Sequence, residues 1–204
     1  MNNDVRNILL AGVGGQGILL ASELLAEVLL LAGYDVKKSE IHGMSQRGGS
    51  VTSHVRYGSN VLSPLIKQGE ADILFGFELL ETYRYLPMLR SGGDVFANSQ
   101  CILPAPVAIG AADYPQDIQN KLRHACPDTY FVDGLTLACQ AGHPRTVNMV
   151  LLGALSTALD IPHTLWHEAI TEKVPQQLLQ ENLFAFQLGR DSQAATTETI
   201  QPGG

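Results

Sequence analysis

Two glycine-rich segments hold the residue types best suited to gripping an anion. Gly12-Val13-Gly14-Gly15-Gln16-Gly17 satisfies G-x-G-x-x-G between a short apolar run, Ile8-Leu9-Leu10-Ala11, and a long aliphatic stretch that begins at Ile18. Glycines in such a turn permit a sharp bend and close backbone approach, and free N–H groups at a helix start attract phosphate. The dinucleotide version of the motif also asks for a carboxylate about 20 residues on, to bind a ribose. Glu40 stands 23 positions beyond Gly17. The competing reading is purely structural, with glycines that let a helix pack tightly on a sheet.

The second segment is Ser39-Glu40-Ile41-His42-Gly43-Met44-Ser45-Gln46-Arg47-Gly48-Gly49-Ser50. An arginine followed by two glycines offers a bidentate guanidinium and exposed N–H groups together. If the fold is an open α/β sheet, loops at strand carboxyl ends line the ligand crevice. This loop would then face the glycine turn. Residues 34–57 carry Lys37, Lys38, Arg47 and Arg56 against Asp35 and Glu40, a local balance of +2, which leaves −9 elsewhere in a chain of net charge −7. Positive charge is thus expected near the turn; a flexible loop with a solvated arginine is the alternative.

Other chemistry is weaker. His163 and His167 stand one helical turn apart, but no HExxH is present. Gly43-Met44-Ser45-Gln46-Arg47 fails the GxSxG elbow at its last position. Cys101, Cys126 and Cys139 form no CxxC and lie in or beside apolar stretches, where inert core thiols are expected. Glu78 and Glu81 fall at a predicted helix start, so capping is their expected role. No catalytic residue and no metal ligand is assigned.

The elements that must position these loops follow from periodicity. Strands are expected at 5–11, 34–39, 51–57 (with a short partner from Val61), 71–77, 94–98 and 129–133. Helices are expected at 18–32, 79–89 (closed by Gly92-Gly93), 115–126, 135–141, 145–159, 163–174 and 175–188. Pro104 and Pro106 suggest an extended stretch. Alternating strands and helices imply an α/β, Rossmann-like three-layer domain with a mostly parallel sheet and a helical C-terminal third. One domain over 1–190 is expected (5–134 the sheet part, 135–190 the helical part), then a flexible tail at 191–204.

Helix 18–32 has a very wide apolar face with one polar stripe at Ser22, Glu23 and Glu27, so it should be covered by the sheet and by either a neighbouring helix or another subunit. The two glutamates argue against a membrane span. With 204 residues, 45% hydrophobic, and pI near 5.3, the chain can bury a core and lacks the basic surface of a nucleic-acid binder. Three unpaired cysteines and no signal-peptide pattern suit the cytoplasm.

Together, the GVGGQG turn and Glu40-Ile41-His42-Gly43-Met44-Ser45-Gln46-Arg47-Gly48-Gly49-Ser50-Val51 resemble the gamma subunit of 2-oxoacid:ferredoxin oxidoreductases, most closely the indolepyruvate type. Ser63-Pro64-Leu65-Ile66, Gly69-Glu70-Ala71-Asp72, the 78–84 helix start, Asn98 and 148–153 are similar as well, over residues 5 to about 190. The resemblance implies a small subunit supporting oxidative decarboxylation of an arylpyruvate to an acyl-CoA, beside a larger chain that carries thiamine diphosphate, magnesium and 4Fe-4S clusters and passes electrons to ferredoxin. It implies that this chain alone is inactive, holds none of those groups and contributes to coenzyme A binding. By position, Gly12, Gly14, Gly15, Gln16 and Gly17 match the family's turn. Arg47, Gly48, Gly49 and Ser50 match its RGG segment, and His42 and Met44 its arylpyruvate variant. Two other functions fit the residues: a self-contained NAD(P)-dependent dehydrogenase using Glu40, and a nucleotide-fold scaffold without ligand.

Overall fold

The computed structural model describes residues 5–42 and 48–198, with His42 and 194–198 described by their backbone alone. Six strands are found there: β1 (Arg6–Val13), β2 (Asp35–His42), β3 (Ser50–Gly58), β4 (Ala71–Gly76), β5 (Leu89–Asn98) and β6 (Tyr130–Val132). They lie in the order β2-β3-β1-β4-β5-β6. The pairs β1–β4, β4–β5 and β5–β6 are parallel, whereas β3 runs antiparallel to both β1 and β2. The sheet is therefore mostly parallel, as the alternation of elements implies, with one reversed strand between β1 and β2. A parallel crossover needs a dozen or more residues, and the connection over 43–49 is too short for one, so β3 must return as a hairpin partner.

Side chains alternate between two buried faces. Ile8, Leu10, Ile73 and Phe75 point to one; Leu9, Ala11, Leu74 and Val95 point to the other. The first face is covered by α1 (Ile18–Leu31), α5 (Gly134–Gln140), α6 (Val147–Ser156), α7 (His163–Lys173) and α8 (Leu179–Glu198). The second is covered by α2 (Leu79–Tyr85) and α4 (Ile118–Ala125). Three layers result, and the direction of winding reverses between β1 and β4.

Helix α1 is covered by the sheet and by α6 and α7 of the same chain, which answers what lies on its second side. Its polar stripe is narrower than expected. Ser22 is fully buried, its hydroxyl satisfied by the Leu19 carbonyl at 2.9 Å, while Glu27 pairs with Lys173 of α7 at 3.3 Å. Helices α6 and α8 cross at backbone contact: a Cβ on Gly153 would lie 2.0 Å from the Phe186 carbonyl oxygen, and one on Gly189 would lie 1.9 Å from that of Val150.

Several local expectations need correction. The helix from Leu79 stops at Tyr85, because Leu86-Pro87-Met88 tightens into a 3-10 turn. Gly92 and Gly93 do not close it but lie inside β5, where a Cβ on Gly93 would press to 2.9 Å on the Asp72 carbonyl oxygen. Pro104 and Pro106 open one helical turn, α3 (Ala105–Ala108), since proline at a first turn forfeits no helical hydrogen bond. No strand forms from Val61; side chains hold that segment instead, with Asp35 accepting the Val61 N–H at 2.7 Å and Arg56 donating to the Ser63 carbonyl at 2.8 Å. Helix α8 continues through Glu198, into the stretch expected to be tail. Cys101 and Cys139 are exposed and Cys126 half-buried, so none is a core thiol; on α5 it is Ala138 that turns inward.

Candidate functional site

The crevice at a topological switch point is where open α/β sheets bind ligands. Here it lies between the carboxyl ends of β1 and β4, and the glycine turn forms one wall. Gly12 is required by close approach, because a Cβ there would meet the Phe77 Cβ at 2.7 Å and Gln16 Oε1 at 2.8 Å. Gly17 adopts φ 75° at the start of α1, with the Asn148 amide nitrogen 2.8 Å from where its Cβ would stand. Gly15, at φ 105°, has open space around it.

Much of the turn's hydrogen-bonding capacity is used internally. Gln16 Oε1 accepts the Val13 N–H at 2.8 Å, and its Nε2 donates to the Phe77 carbonyl at 2.7 Å. The Gln16 N–H returns to the Val13 carbonyl at 3.2 Å, and the Gly14 N–H donates to the Gly49 carbonyl at 2.9 Å. The backbone donors left to face a ligand are those of Gly15, Gly17 and the first turn of α1. Gln16 therefore stitches strand ends together. Asn98 extends the stitch, giving its Nδ2 to the Phe77 carbonyl at 3.0 Å and accepting the Gly134 N–H at 3.2 Å.

The Gly14–Gly49 bond brings the two glycine segments side by side, as the sheet topology anticipated. Gly48 turns at φ 72°, Gly49 follows, and Ser50 begins β3 with its hydroxyl 3.2 Å from the Tyr85 hydroxyl. Gly43, Met44 and Arg47 lie outside the described residues, and His42 ends β2 opposite Val51.

Glu40 is not brought to the turn. It sits within edge strand β2 opposite Ser53, with β3 between it and β1, and Lys38 holds its carboxylate at 2.7 Å. Arg47 of the expected positive patch lies outside the described residues, and the patch's lysines and Arg56 are engaged elsewhere. Lys37 pairs with Asp35, and Arg56 donates to the Asn7 side chain at 2.7 Å. Arg56 faces the start of β1, roughly 20 Å from the glycine turn at about 3.3 Å per strand residue.

A buried carboxylate supports the other side of the crevice. Glu78, 1% exposed, caps α2 by accepting the Glu81 N–H at 2.9 Å, as expected of it, whereas Glu81 lies inside the first turn and pairs with Arg84 at 3.3 Å. It also accepts the Ile102 N–H at 3.1 Å and the Tyr114 hydroxyl at 2.8 Å. Burial first, then hydrogen bonds with Cys101 and Glu78, raise the Tyr114 phenol well above its ordinary range. Sequence reasoning missed this clasp, whose parts are separated by 24 and 36 residues. Among the described residues, no group of three or more His, Cys, Asp or Glu could hold a metal, and no helix is long and apolar enough to cross a membrane.

Residues 7–192 match the family described as pyruvate ferredoxin/flavodoxin oxidoreductase. The chain belongs to this family. Two similar relatives within this oxidoreductase family are the indolepyruvate oxidoreductase subunits IorB of Pyrococcus horikoshii and Thermococcus kodakarensis. The first is 41% identical over 188 residues and the second 43% over 190; in each case the match spans 90% of this chain and 93% of the relative. Among solved structures, the gamma subunit of keto/oxoacid ferredoxin oxidoreductase from Geobacter sulfurreducens superposes with a TM-score of 0.68 at 23% identity, covering 93% of this chain and 99% of that one. A 2-oxoglutarate:ferredoxin oxidoreductase from Magnetococcus marinus gives 0.72 at 22% identity, covering 95% of this chain but 32% of that longer one. The Rossmann-like fold and the family resemblance read from the glycine segments are both borne out.

Proposed function

We propose that this chain is the small, gamma-type subunit of an indolepyruvate-type 2-oxoacid:ferredoxin oxidoreductase. The observation that carries this is the identity above 40% to two IorB subunits across nine-tenths of the chain. In this reading a larger partner holds thiamine diphosphate, magnesium and iron–sulfur clusters, which supply decarboxylation and electron transfer to ferredoxin in the cytoplasm. Nothing in this chain is assigned a proton-transfer step. Its own cysteines lie on separate parts of the fold, after β5, at the end of α4 and within α5.

The part assigned to this subunit is positioning at the carboxyl edge. Gly15 is the proposed point of phosphate approach, since nothing lies within 4 Å of where its Cβ would stand, and Gln16 and Asn98 tie that wall to the Phe77 carbonyl. Coenzyme A is the proposed ligand, with Gly15, Gly17, Gly48, Gly49, Ser50 and Arg47 as its contacts. Gly12, Gly14 and Gln16 act by shaping the turn. The dehydrogenase alternative is weakened by Glu40, whose carboxylate is held by Lys38 on β2, with β3 standing between it and β1.

Co-expression with the larger chain tests the reading. Arylpyruvate-dependent viologen reduction should require both chains, and full activity of the large chain alone would refute the assignment. Arg47→Ala should raise the apparent KM for coenzyme A several-fold with assembly intact; an unchanged KM would remove coenzyme A binding from this subunit's role.

A further inference from the structure

A cavity of about 230 Å³ opens on the helical side of the sheet, behind the glycine turn, where Asn148 both lines it and stands against Gly17. It is bounded by the first turn of α1, the turn before α6 and the connection from α7 to α8. Leu20, Val174, Pro175 and Leu178 give it apolar walls. Two carboxamides reach it from buried positions. Asn148 is 5% exposed and its Nδ2 donates to no acceptor among the described residues, the Oδ1 alone being used, by the Met149 N–H at 3.1 Å. Asn182 is 9% exposed; its Nδ2 donates to the Leu178 carbonyl at 2.7 Å, and its Oδ1 has no partner among the described residues.

Two opposite charges face the same space without meeting. Arg145 is exposed and Glu181 half-buried, and among the described residues neither side chain forms an ion pair or hydrogen bond, with the other or with anything else. The third charged side chain there, Lys173, is already neutralised by Glu27. The imidazole of His143 is also partly used, its Nδ1 accepting the Arg145 N–H at 3.0 Å. A guanidinium and a carboxylate held apart across one cavity complement a ligand carrying both an anion and a cation. Unused carboxamide atoms beside them, with an apolar wall, complete a site of small-metabolite type.

We propose that this cavity binds a zwitterionic metabolite of the α-amino-acid class. Its carboxylate pairs with Arg145, its ammonium with Glu181, and its side chain lies against Leu20, Val174 and Leu178. The proposal goes beyond the function proposed above and does not rest on coenzyme A binding, although Asn148 adjoins Gly17 of the glycine turn.

Calorimetric titration of the full chain, alone and in complex with the larger subunit, tests it with three probes of one carbon skeleton: L-phenylalanine, phenylpyruvate and phenethylamine. L-Phenylalanine should bind, with the two singly charged probes at least ten-fold weaker. Arg145→Gln and Glu181→Gln should each weaken L-phenylalanine ten-fold or more. Neither side chain supports the fold through a hydrogen bond or ion pair, so both variants should melt like the parent. Equal affinity for phenylpyruvate and L-phenylalanine, or binding unaffected by Glu181→Gln, would overturn the zwitterion assignment. Absence of binding in both preparations up to millimolar ligand would overturn the site.

Discussion

Gln16 and Phe77, 61 residues apart in sequence, are joined by a 2.7 Å hydrogen bond from the Gln16 amide to the Phe77 carbonyl, which ties the glycine turn to the end of β4. The same side chain takes up the Val13 N–H at 2.8 Å. Gln16→Ala leaves that N–H unpaired, while the Phe77 carbonyl keeps Asn98. A loss of about 2 kcal/mol is expected, since a net hydrogen bond is worth about 1 kcal/mol and a stranded donor costs more. Gln16→Glu should be worse at neutral pH, because it sets a carboxylate oxygen against the Phe77 carbonyl. Urea denaturation of the three proteins checks the order.

The crossing of α6 and α8 makes a sharper prediction. A methyl group on Gly153 or Gly189 would overlap a backbone carbonyl of the opposing helix, which cannot yield as a flexible side chain can. Either Gly→Ala change should cost about 3 kcal/mol or more through forced separation of the helices. Gly15→Ala is the control: nothing lies within 4 Å, so only the positive φ is penalised, at about 1–2 kcal/mol. Equal denaturation midpoints for Gly153→Ala and Gly15→Ala would contradict the close crossing.

What was legible in the sequence was local. The apolar run into β1, the glycine stop and the aliphatic α1 could be read because each is fixed by neighbours within a few residues. The reversed strand β3 was not legible as the neighbour of β1, since strand order is settled by pairing across the chain. Arg56 was misplaced in the expected charge patch for the same reason: its pairing with Asn7, 49 residues away, sets it at the start of β1 and not at the turn. Glu40 passed the spacing test for a ribose carboxylate, but spacing says nothing about the strand inserted between it and the turn. At the site itself, the adjacency of the two glycine segments was anticipated. The use of Gln16 as a stitch was not, because its partner carbonyl lies on another strand.

Glu78 gives a further test. Its carboxylate receives the Glu81 N–H, the Ile102 N–H and the Tyr114 hydroxyl, so it clasps both ends of the excursion that follows β5. Glu78→Ala strands three donors in a buried setting and should cost about 3–5 kcal/mol, whereas Glu78→Gln retains one acceptor oxygen and should cost less. Brief chymotrypsin treatment should cut Glu78→Ala first near Leu103 or Tyr114, while the parent resists there. Identical cleavage patterns would show that the excursion is held by other contacts.

His54 provides the pH dependence. It is buried on β3, and its Nδ1 accepts the Ile66 N–H at 3.1 Å, anchoring the strap that leads into β4. Burial lowers its pKa below the ordinary 6.5, because the imidazolium is desolvated. The folded chain therefore resists a proton that the unfolded chain accepts. Stability is fully present above about pH 6.5 and falls as pH drops from there toward the depressed folded value, by at most about 1.4 kcal/mol per pH unit. Protonation at Nδ1 would also release the Ile66 N–H, so the strap should loosen first. Urea midpoints at pH 7.5 and 5.5 should differ more for the parent than for His54→Gln, which keeps an acceptor but does not titrate. Hydrogen exchange at the Ile66 amide should accelerate at the lower pH in the parent beyond the change seen at amides in the centre of β4. A pH response in His54→Gln equal to that of the parent would assign the effect to other groups.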